Sequence, residues 1–255
     1  MIPRTIHYCW FGRNQKPKLA VRCMKSWKKY CRDFALIEWN EDNFDIEKAP
    51  LYVRQAYEAK KWAFVTDYVR LYALFYYGGI YMDTDVEVLK ALEEFLHLKG
   101  FSGFEDESLV PTGIMASQKE HHLIKEWLAE YESKQFILQD GSLNTETNVV
   151  AITRSMEKHG LRLDNSLQTV EDFTFYPKDY FCPKSYYDGK IYKTGNTYTI
   201  HHFAGSWLSD EERKMDKERI AYLHRDKYLR PIKTALQSVI GESKYKKMKE
   251  VIKGR

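Results

Sequence analysis

Apolar and polar positions along the 255-residue chain switch between the period of a strand and the period of a helix. "IPRTIHYCWFG", residues 2–12, begins with alternating apolar residues and ends at Gly12, which predicts a first strand and its turn. In "KLAVRCMKSWKKY", Leu19, Cys23, Ser26/Trp27 and Tyr30 fall near one stripe and predict a helix. "FALIEWN" predicts a second strand ended by Asn40, and "NEDNFDIEKAP" a polar connection. Residues 52–77 predict one long helix, with Ala56, Ala59, Ala63, Val65, Val69, Tyr72, Ala73 and Tyr76 on its apolar faces. Gly78 and Gly79 stop it. "IYMDTDVEVL" then predicts a buried strand running into Asp83, and "FSGFED" and "TGIMAS" further short strands. "KEHHLIKEWLAEYES" and "NTETNVVAITRSMEKHG" predict helices, "FTFYPKDYFCPK" an irregular or extended stretch, and "NTYTIHHFAGSW" a strand entering a tight turn. The last forty residues read as basic helices. Strands alternating with helices predict an α/β fold around a mixed, mostly parallel sheet.

The length suits one substantial core. Aromatic residues make up 15 % of the chain, with 19 Tyr and 6 Trp, which serves cores and sugar-binding surfaces alike. No run approaches the ~20 apolar residues of a membrane span, and "MIPRTIHYCWFG" lacks the layout of a signal peptide. Cys9, Cys23, Cys31 and Cys182 show no CxxC pairing and read as reduced thiols of a cytoplasmic protein. The net charge of +4 is uneven. Residues 213–255 hold 14 Lys and Arg against 5 Asp and Glu, whereas residues 1–212 hold 26 against 31. Such a basic tail suits an anionic partner, a membrane surface or nucleic acid.

Asp83 and Asp85 are separated by one residue at the end of a predicted strand, and a regular pleat would point both to the same side. Two carboxylates so close repel unless a positive charge lies between them. Mg²⁺ or Mn²⁺ supplies that charge and commonly bridges carboxylates to phosphate oxygens. Asp67 and Arg70, spaced i,i+3, share a face of a helix rich in apolar residues, which predicts a partly buried pair beside the two acids. Asp accepts hydroxyl hydrogen bonds and Arg fixes the Asp, so the group suits a polyhydroxylated ligand.

Together "IPRTIHYCWFG", "SWKKYCRDFALIEWNEDNFD", "AFVTDYVRLYALFYYGGIYMDTDVEVL" and "HHFAGSW" resemble the glycosyltransferases of family 32, the family with a DXD sugar-binding region, and in particular its bacterial capsule and lipopolysaccharide branch. The large clostridial glucosylating toxins share this core pattern. The resemblance covers about residues 2–210 and leaves 211–255 as a basic helical tail. It implies a GT-A nucleotide-binding sandwich, a nucleotide-sugar donor (UDP-sugar first), Mn²⁺ or Mg²⁺, and retention of anomeric configuration. It also implies a glycan or lipid-linked acceptor in surface-polysaccharide synthesis and no nucleic acid, with the tail free to meet an anionic membrane. By the same likeness Asp67 and Arg70 hold donor-sugar hydroxyls, Asp83 binds ribose and sugar, and Asp85 ligates the metal. Ile6, His7 and Trp10 lie on the donor side, Trp10 against the base. The block "HHFAGSW" takes the place of a late metal ligand, for which His202 is favoured over His201. Ser206 and Trp207 close over the diphosphate, and Thr112 and Gly113 approach the acceptor side.

Other histidines and asparagines read as structural. His121 and His122 read as surface residues at a helix start, and Asn144 and Asn148 as caps of the following helix. Two rival functions remain. A phosphohydrolase of the haloacid dehalogenase type also uses a strand followed by D-x-D, but no G-D-x-x-x-D follows here and the motif sits late in the chain. A non-catalytic sugar- or membrane-binding accessory protein is the other.

Overall fold

The structure is a computed structural model that describes residues 1–186 and 188–205, together with Met215 and Glu218. One compact unit comprises Met1–Ser185 and Lys190–Trp207, and a second comprises Tyr186–Gly189 and Leu208–Arg255. Apart from those two positions the basic tail lies outside the described residues, as do Ser206 and Trp207.

The first unit is a mixed α/β fold. Its main sheet runs β2 (Ala35–Trp39), β1 (Thr5–Cys9), β3 (Gly79–Met82), β6 (Ile114–Ser117), β5 (Gly100–Gly103), β8 (Phe173–Tyr176), β7 (Gln168–Val170). β1 pairs parallel with β2 and β3, and β5 pairs parallel with β8. The pairings of β6 with β3 and β5, and of β7 with β8, are antiparallel. A separate two-stranded sheet joins β4 (Val86–Val88) to β9 (Thr199–His201). The helices are α1 (Lys18–Tyr30), α2 (Leu51–Glu58), α3 (Trp62–Tyr77), α4 (His122–Ala129), α5 (Asn148–Lys158) and the short α6 (Lys178–Phe181). Among the described residues no helix is long and apolar enough to cross a membrane, and the four cysteines are buried and unpaired.

Strand alternation divides the core. Ile6, Ile80 and Met82 face one layer with Trp27 of α1, whereas Tyr81 faces the other with residues of α2, α3, α4 and α5. Burying a side chain of this size stabilises by roughly 1.5–3 kcal/mol. Trp27 adds direction to that gain, because its Nε1–H donates to the Val86 carbonyl at 2.7 Å. Ser26 Oγ accepts from the Val88 N–H at 2.9 Å. These two bonds tie α1 to β4 and so fix the strand that follows the D-x-D.

Two predicted elements differ. The long helix of residues 52–77 is two helices, broken where Lys60 takes a left-handed φ of 56°. There the Lys60 and Lys61 N–H groups donate to Tyr57 and Ala56 carbonyls, and no Gly or Pro marks the place. "IYMDTDVEVL" is likewise two strands. β3 ends at Met82, the chain turns through residues 83–86 with the Val86 N–H on the Asp83 carbonyl, and β4 joins the other sheet. A tight turn, not a strand pleat, therefore brings Asp83 and Asp85 together.

His121 is not a surface residue: it is 2 % exposed, and its Nδ1 accepts the Leu123 N–H, capping α4. His122 is exposed and lies 3.4 Å from Glu171. Burial, then the neighbouring His122, lowers the His121 pKa from 6.5 to about 4. The folded state thus binds fewer protons than the unfolded state between those values. Stability from this group is complete above pH 6.5 and is lost as pH falls toward 4, by up to roughly 3 kcal/mol. His121→Asn keeps a capping acceptor without a titrating ring. In urea unfolding the variant is expected to match wild type at pH 7 and to be the more stable protein at pH 4. Parallel pH profiles would rule the account out.

Candidate functional site

Site geometry begins with the end of α3. Gly78 adopts φ 66° and closes the helix, and its carbonyl accepts the His7 Nε2–H at 2.8 Å. His7 Nδ1 in turn accepts the Trp39 Nε1–H at 3.1 Å. Gly79 has φ 110°, and a Cβ there would lie 2.7 Å from the Thr5 carbonyl oxygen and 3.1 Å from His7 Nε2. Only glycine lets β3 start this close to β1. His7 and Ile6 are both fully buried. His7 spends both nitrogens on protein groups, and burial holds its pKa down. His7 thus aligns β1, β2 and the α3 terminus, and the Ile6 side chain fills the core.

Asp67 and Arg70 are both buried, with Arg70 Nη2 3.5 Å from Asp67 Oδ1. The same Nη2 donates to Asp83 Oδ1 at 3.0 Å, and the guanidinium lies 4.6 Å from the centre of the Tyr81 ring. The Tyr81 hydroxyl donates to Asp83 Oδ1 at 3.1 Å. Asp67 Oδ2 accepts the backbone N–H of Asn148, the first residue of α5, at 3.1 Å. The cap of α5 thus comes from Asp67, 81 residues earlier, whereas Asn144 Oδ1 accepts from the Glu146 N–H in the preceding turn. Burial raises the Asp67 pKa to about 6 against the opposing field of Arg70.

The two motif aspartates each have one oxygen held and one presented. Asp83 Oδ1 is taken by Arg70 and Tyr81, and Asp83 Oδ2 lies 3.9 Å from His201 Nε2. Asp85 Oδ2 accepts the Ala204 N–H at 2.6 Å, and Asp85 Oδ1 lies 3.4 Å from His201 Nε2. Asp83, Asp85 and His201 offer ligand atoms that lie within 4.8 Å of one another. Burial opposes charge on Asp85, yet His201 and the Ala204 N–H outweigh it and hold its pKa at about 2. Burial likewise opposes charge on His201, and Asp85 outweighs it to push that pKa well up. Two carboxylate oxygens and an imidazole nitrogen form a donor set that a hard divalent cation such as Mn²⁺ or Mg²⁺ accepts.

The histidine of this group is His201 and not His202. His202 Nε2 sits 2.8 Å from Glu87 Oε2 on the other side of β9. Its carbonyl is bonded by Lys184. Adjacent strand residues point to opposite faces, so the register of β9, with His201 across from Val86, decides which ring meets the aspartates.

Gly113 lies in the floor of this group, and Thr112 precedes it in the chain. The Gly113 carbonyl accepts the Asp83 N–H at 2.8 Å. A Cβ on Gly113 would stand 3.0 Å from Val86 Cγ2, 3.1 Å from Asp83 Oδ2 and 3.1 Å from His201 Cγ. Thr112 is buried, and its hydroxyl has no hydrogen-bond partner among the described residues. Trp10 follows β1 and is half-buried, with Nε1–H donating to the Asn14 carbonyl and Lys16 Nζ 5.5 Å from its ring.

Glu105 joins the site without any sequence signal. Its Oε2 lies 3.7 Å from His201 Nδ1. Burial raises its pKa to about 7, countered in part by His201 and reinforced by Asp83. An acid after a predicted strand is an ordinary surface residue in most chains, and only the tertiary approach of β9 to β5 gives this one a partner.

Residues 17–101 match the family described as the glycosyltransferase sugar-binding region containing a DXD motif. Over that segment the chain is glycosyltransferase-like. It is 28 % identical over 124 residues to inositol phosphoceramide mannosyltransferase 3 of Schizosaccharomyces pombe, covering 47 % of this chain and 34 % of that protein. It is 32 % identical over 110 residues to glucan organizing enzyme 1 of Cryptococcus neoformans, covering 39 % of this chain and 29 % of that protein. The chain thus spans about a third of the length of these fungal relatives. A solved structure, the PaToxG glycosyltransferase, is 20 % identical with a TM-score of 0.45, covering 61 % of this chain and 70 % of that one. The matched segment contains Asp67, Arg70, Asp83 and Asp85, and ends before Glu105 and His201.

Gly113 offers a direct probe of this packing. Gly113→Ala is expected to displace Asp83 and His201 by a few tenths of an ångström and to lower Mn²⁺ affinity roughly 10-fold, the low end of effects seen when support around metal ligands is removed. Calorimetric titration checks this, and unchanged affinity in a folded variant would show that the close approach carries no function.

Proposed function

We propose that this protein is a metal-dependent, retaining glycosyltransferase of the GT-A type that moves a sugar from a nucleotide-sugar donor, UDP-sugar first, to a glycan or lipid-linked acceptor. The observation that carries the reading is the paired presentation of Asp83 Oδ2 and Asp85 Oδ1 toward His201 Nε2, each aspartate steadied through its other oxygen. Four buried or half-buried acids, Asp67, Asp83, Asp85 and Glu105, surround one arginine and one histidine, an excess of negative charge that suits a divalent cation. When bound there, Mn²⁺ or Mg²⁺ supplies positive charge against the negative charge that builds on a departing diphosphate.

This chain's own residues do the rest. Arg70 holds Asp83 and Asp67 as fixed acceptors, and the free lone pairs of those carboxylates suit sugar hydroxyls. The Asn148 N–H and the α5 terminus keep Asp67 oriented. Trp10 offers a half-buried ring at the end of β1 for a base. Ser206 and Trp207, placed by sequence over the diphosphate, lie outside the described residues. No residue is assigned as catalytic base. A phosphohydrolase nucleophile would need an unencumbered aspartate with a nearby lysine. Asp83 is instead bonded by Arg70 and Tyr81, and among the described residues no lysine pairs with Asp83 or Asp85. The relatives above are fungal, so a role in bacterial capsule or lipopolysaccharide synthesis, and a cytoplasmic location, rest on the sequence pattern alone.

UDP binding measured by calorimetry with and without Mn²⁺ tests the proposal. Wild type is expected to bind UDP at least 10-fold more tightly with Mn²⁺, and Asp85→Asn to lose that gain. Metal-independent UDP binding would remove Asp85 from the cation site. Binding of neither UDP nor GDP would set aside the nucleotide-sugar reading.

A further inference from the structure

We propose that Glu105 is a positioning residue for His201: it accepts the Nδ1–H and thereby turns Nε2 toward Asp83 and Asp85. The inference rests on the reading of Asp83, Asp85 and His201 as a divalent-cation site.

A neutral imidazole has one bare nitrogen and one N–H, and a metal takes the bare one. If Nε2 faces the cation, the proton sits on Nδ1. That atom is buried and makes no hydrogen bond among the described residues. A buried N–H needs an acceptor. The carboxylate at hand is Glu105 Oε2, 3.7 Å away, and a shift of roughly 0.7 Å makes it a hydrogen bond of ordinary length. Cys182 also acts on the ring, but a thiol sulfur is a weak acceptor.

The surroundings leave this choice of nitrogen to hydrogen bonding. Gly113 packs against His201 Cγ, where even a Cβ would stand at 3.1 Å. The Phe203 ring lies 4.3 Å from the His201 ring centroid. Packing therefore restricts where the ring lies but leaves open a half-turn about Cβ–Cγ that exchanges Nδ1 with Cδ2 and Nε2 with Cε1. Glu105 breaks that symmetry.

Glu105 is itself held. Its N–H donates to the Leu109 carbonyl. At Val110 the loop is fastened from both sides by Thr153 Oγ1, which accepts the Val110 N–H at 3.0 Å and bonds the Val110 carbonyl at 2.8 Å. Thr153 lies on α5, the helix whose first N–H is bound by Asp67. One helix thus anchors both the Asp67–Arg70 side and the Glu105 side of the site. Carboxylate-to-histidine contacts of this kind orient metal ligands in many sites, and their loss commonly weakens metal binding 10- to 100-fold, roughly.

The test is Mn²⁺ binding, followed by electron paramagnetic resonance of free Mn²⁺, on the full chain carrying Glu105→Leu, Glu105→Gln or Cys182→Ala. Glu105→Leu removes the acceptor and is expected to weaken Mn²⁺ roughly 10- to 100-fold. Glu105→Gln keeps an acceptor oxygen and is expected to lose less than Glu105→Leu. Proton spectra of the proteins loaded with diamagnetic Mg²⁺, in which the cation on Nε2 leaves the His201 proton on Nδ1, give a second readout: the Nδ1–H resonance lies downfield, hydrogen-bonded, in wild type and Glu105→Gln, and moves upfield in Glu105→Leu. Should the leucine variant fail to fold, Glu105→Ala replaces it. Mn²⁺ affinity of Glu105→Leu within twofold of wild type would overturn the inference, as would equal losses in the leucine and glutamine variants. A loss seen only in Cys182→Ala would name sulfur as the acceptor and overturn it too. Wild type that binds no Mn²⁺ would remove the cation site itself, an outcome distinct from all of these.

Discussion

The buried guanidinium of Arg70 is the constraint from which the rest of the site follows. A charge taken out of water is tolerated only with partners close by. Arg70 has Asp67 on its own helix, Asp83 beyond the glycine stop, and the Tyr81 ring beneath it. These contacts join α3 to the turn after β3. Through Asp67 they also reach α5, so helices distant in sequence are set against the same turn. Removing this side chain leaves one buried and one half-buried carboxylate without their cation, and breaking a buried pair in this way costs about 3–5 kcal/mol in other proteins.

The opposite half of the site is built from a different device. β4 and β9 form a sheet of only two strands, and its purpose in the architecture is to bring a late histidine beside the Asp83–Asp85 turn. The Ala204 N–H continues that approach by binding Asp85. One half of the site is thus organised by a buried ion pair and the other by a strand register. The two meet at Gly113, where a missing Cβ leaves room for Asp83 and His201 to pack against the backbone. The resulting surplus of carboxylates over cations is an electrostatic feature of the sequence's own making.

Much of this was legible in the sequence because it is local. The Gly78-Gly79 stop, the i,i+3 spacing of Asp67 and Arg70, and the short separation of Asp83 and Asp85 all act within a few residues. Features that depend on register or on distant partners were not legible. Whether His201 or His202 faces the aspartates depends on the pairing of β9 with β4, which no local pattern encodes. Ile6 and His7 sit in a motif-rich block, yet the sheet interior claims both. Glu105 gains its meaning from a histidine 96 positions later. His121 reads as a surface residue until burial and the capping of α4 are seen together. The break at Lys60 carries no glycine or proline, so periodicity ran through it.

The central claim is that Asp83, Asp85 and His201 hold a divalent cation. Mn²⁺ titration of wild type, His201→Ala and His202→Ala tests it most directly, because the two histidines are neighbours in sequence and differ only in the face they occupy. The account predicts that wild type binds one Mn²⁺, that His201→Ala binds it at least 10-fold more weakly, and that His202→Ala, which loses only its contact with Glu87, binds nearly as wild type. A loss confined to His202→Ala, or no Mn²⁺ binding by wild type, would contradict it.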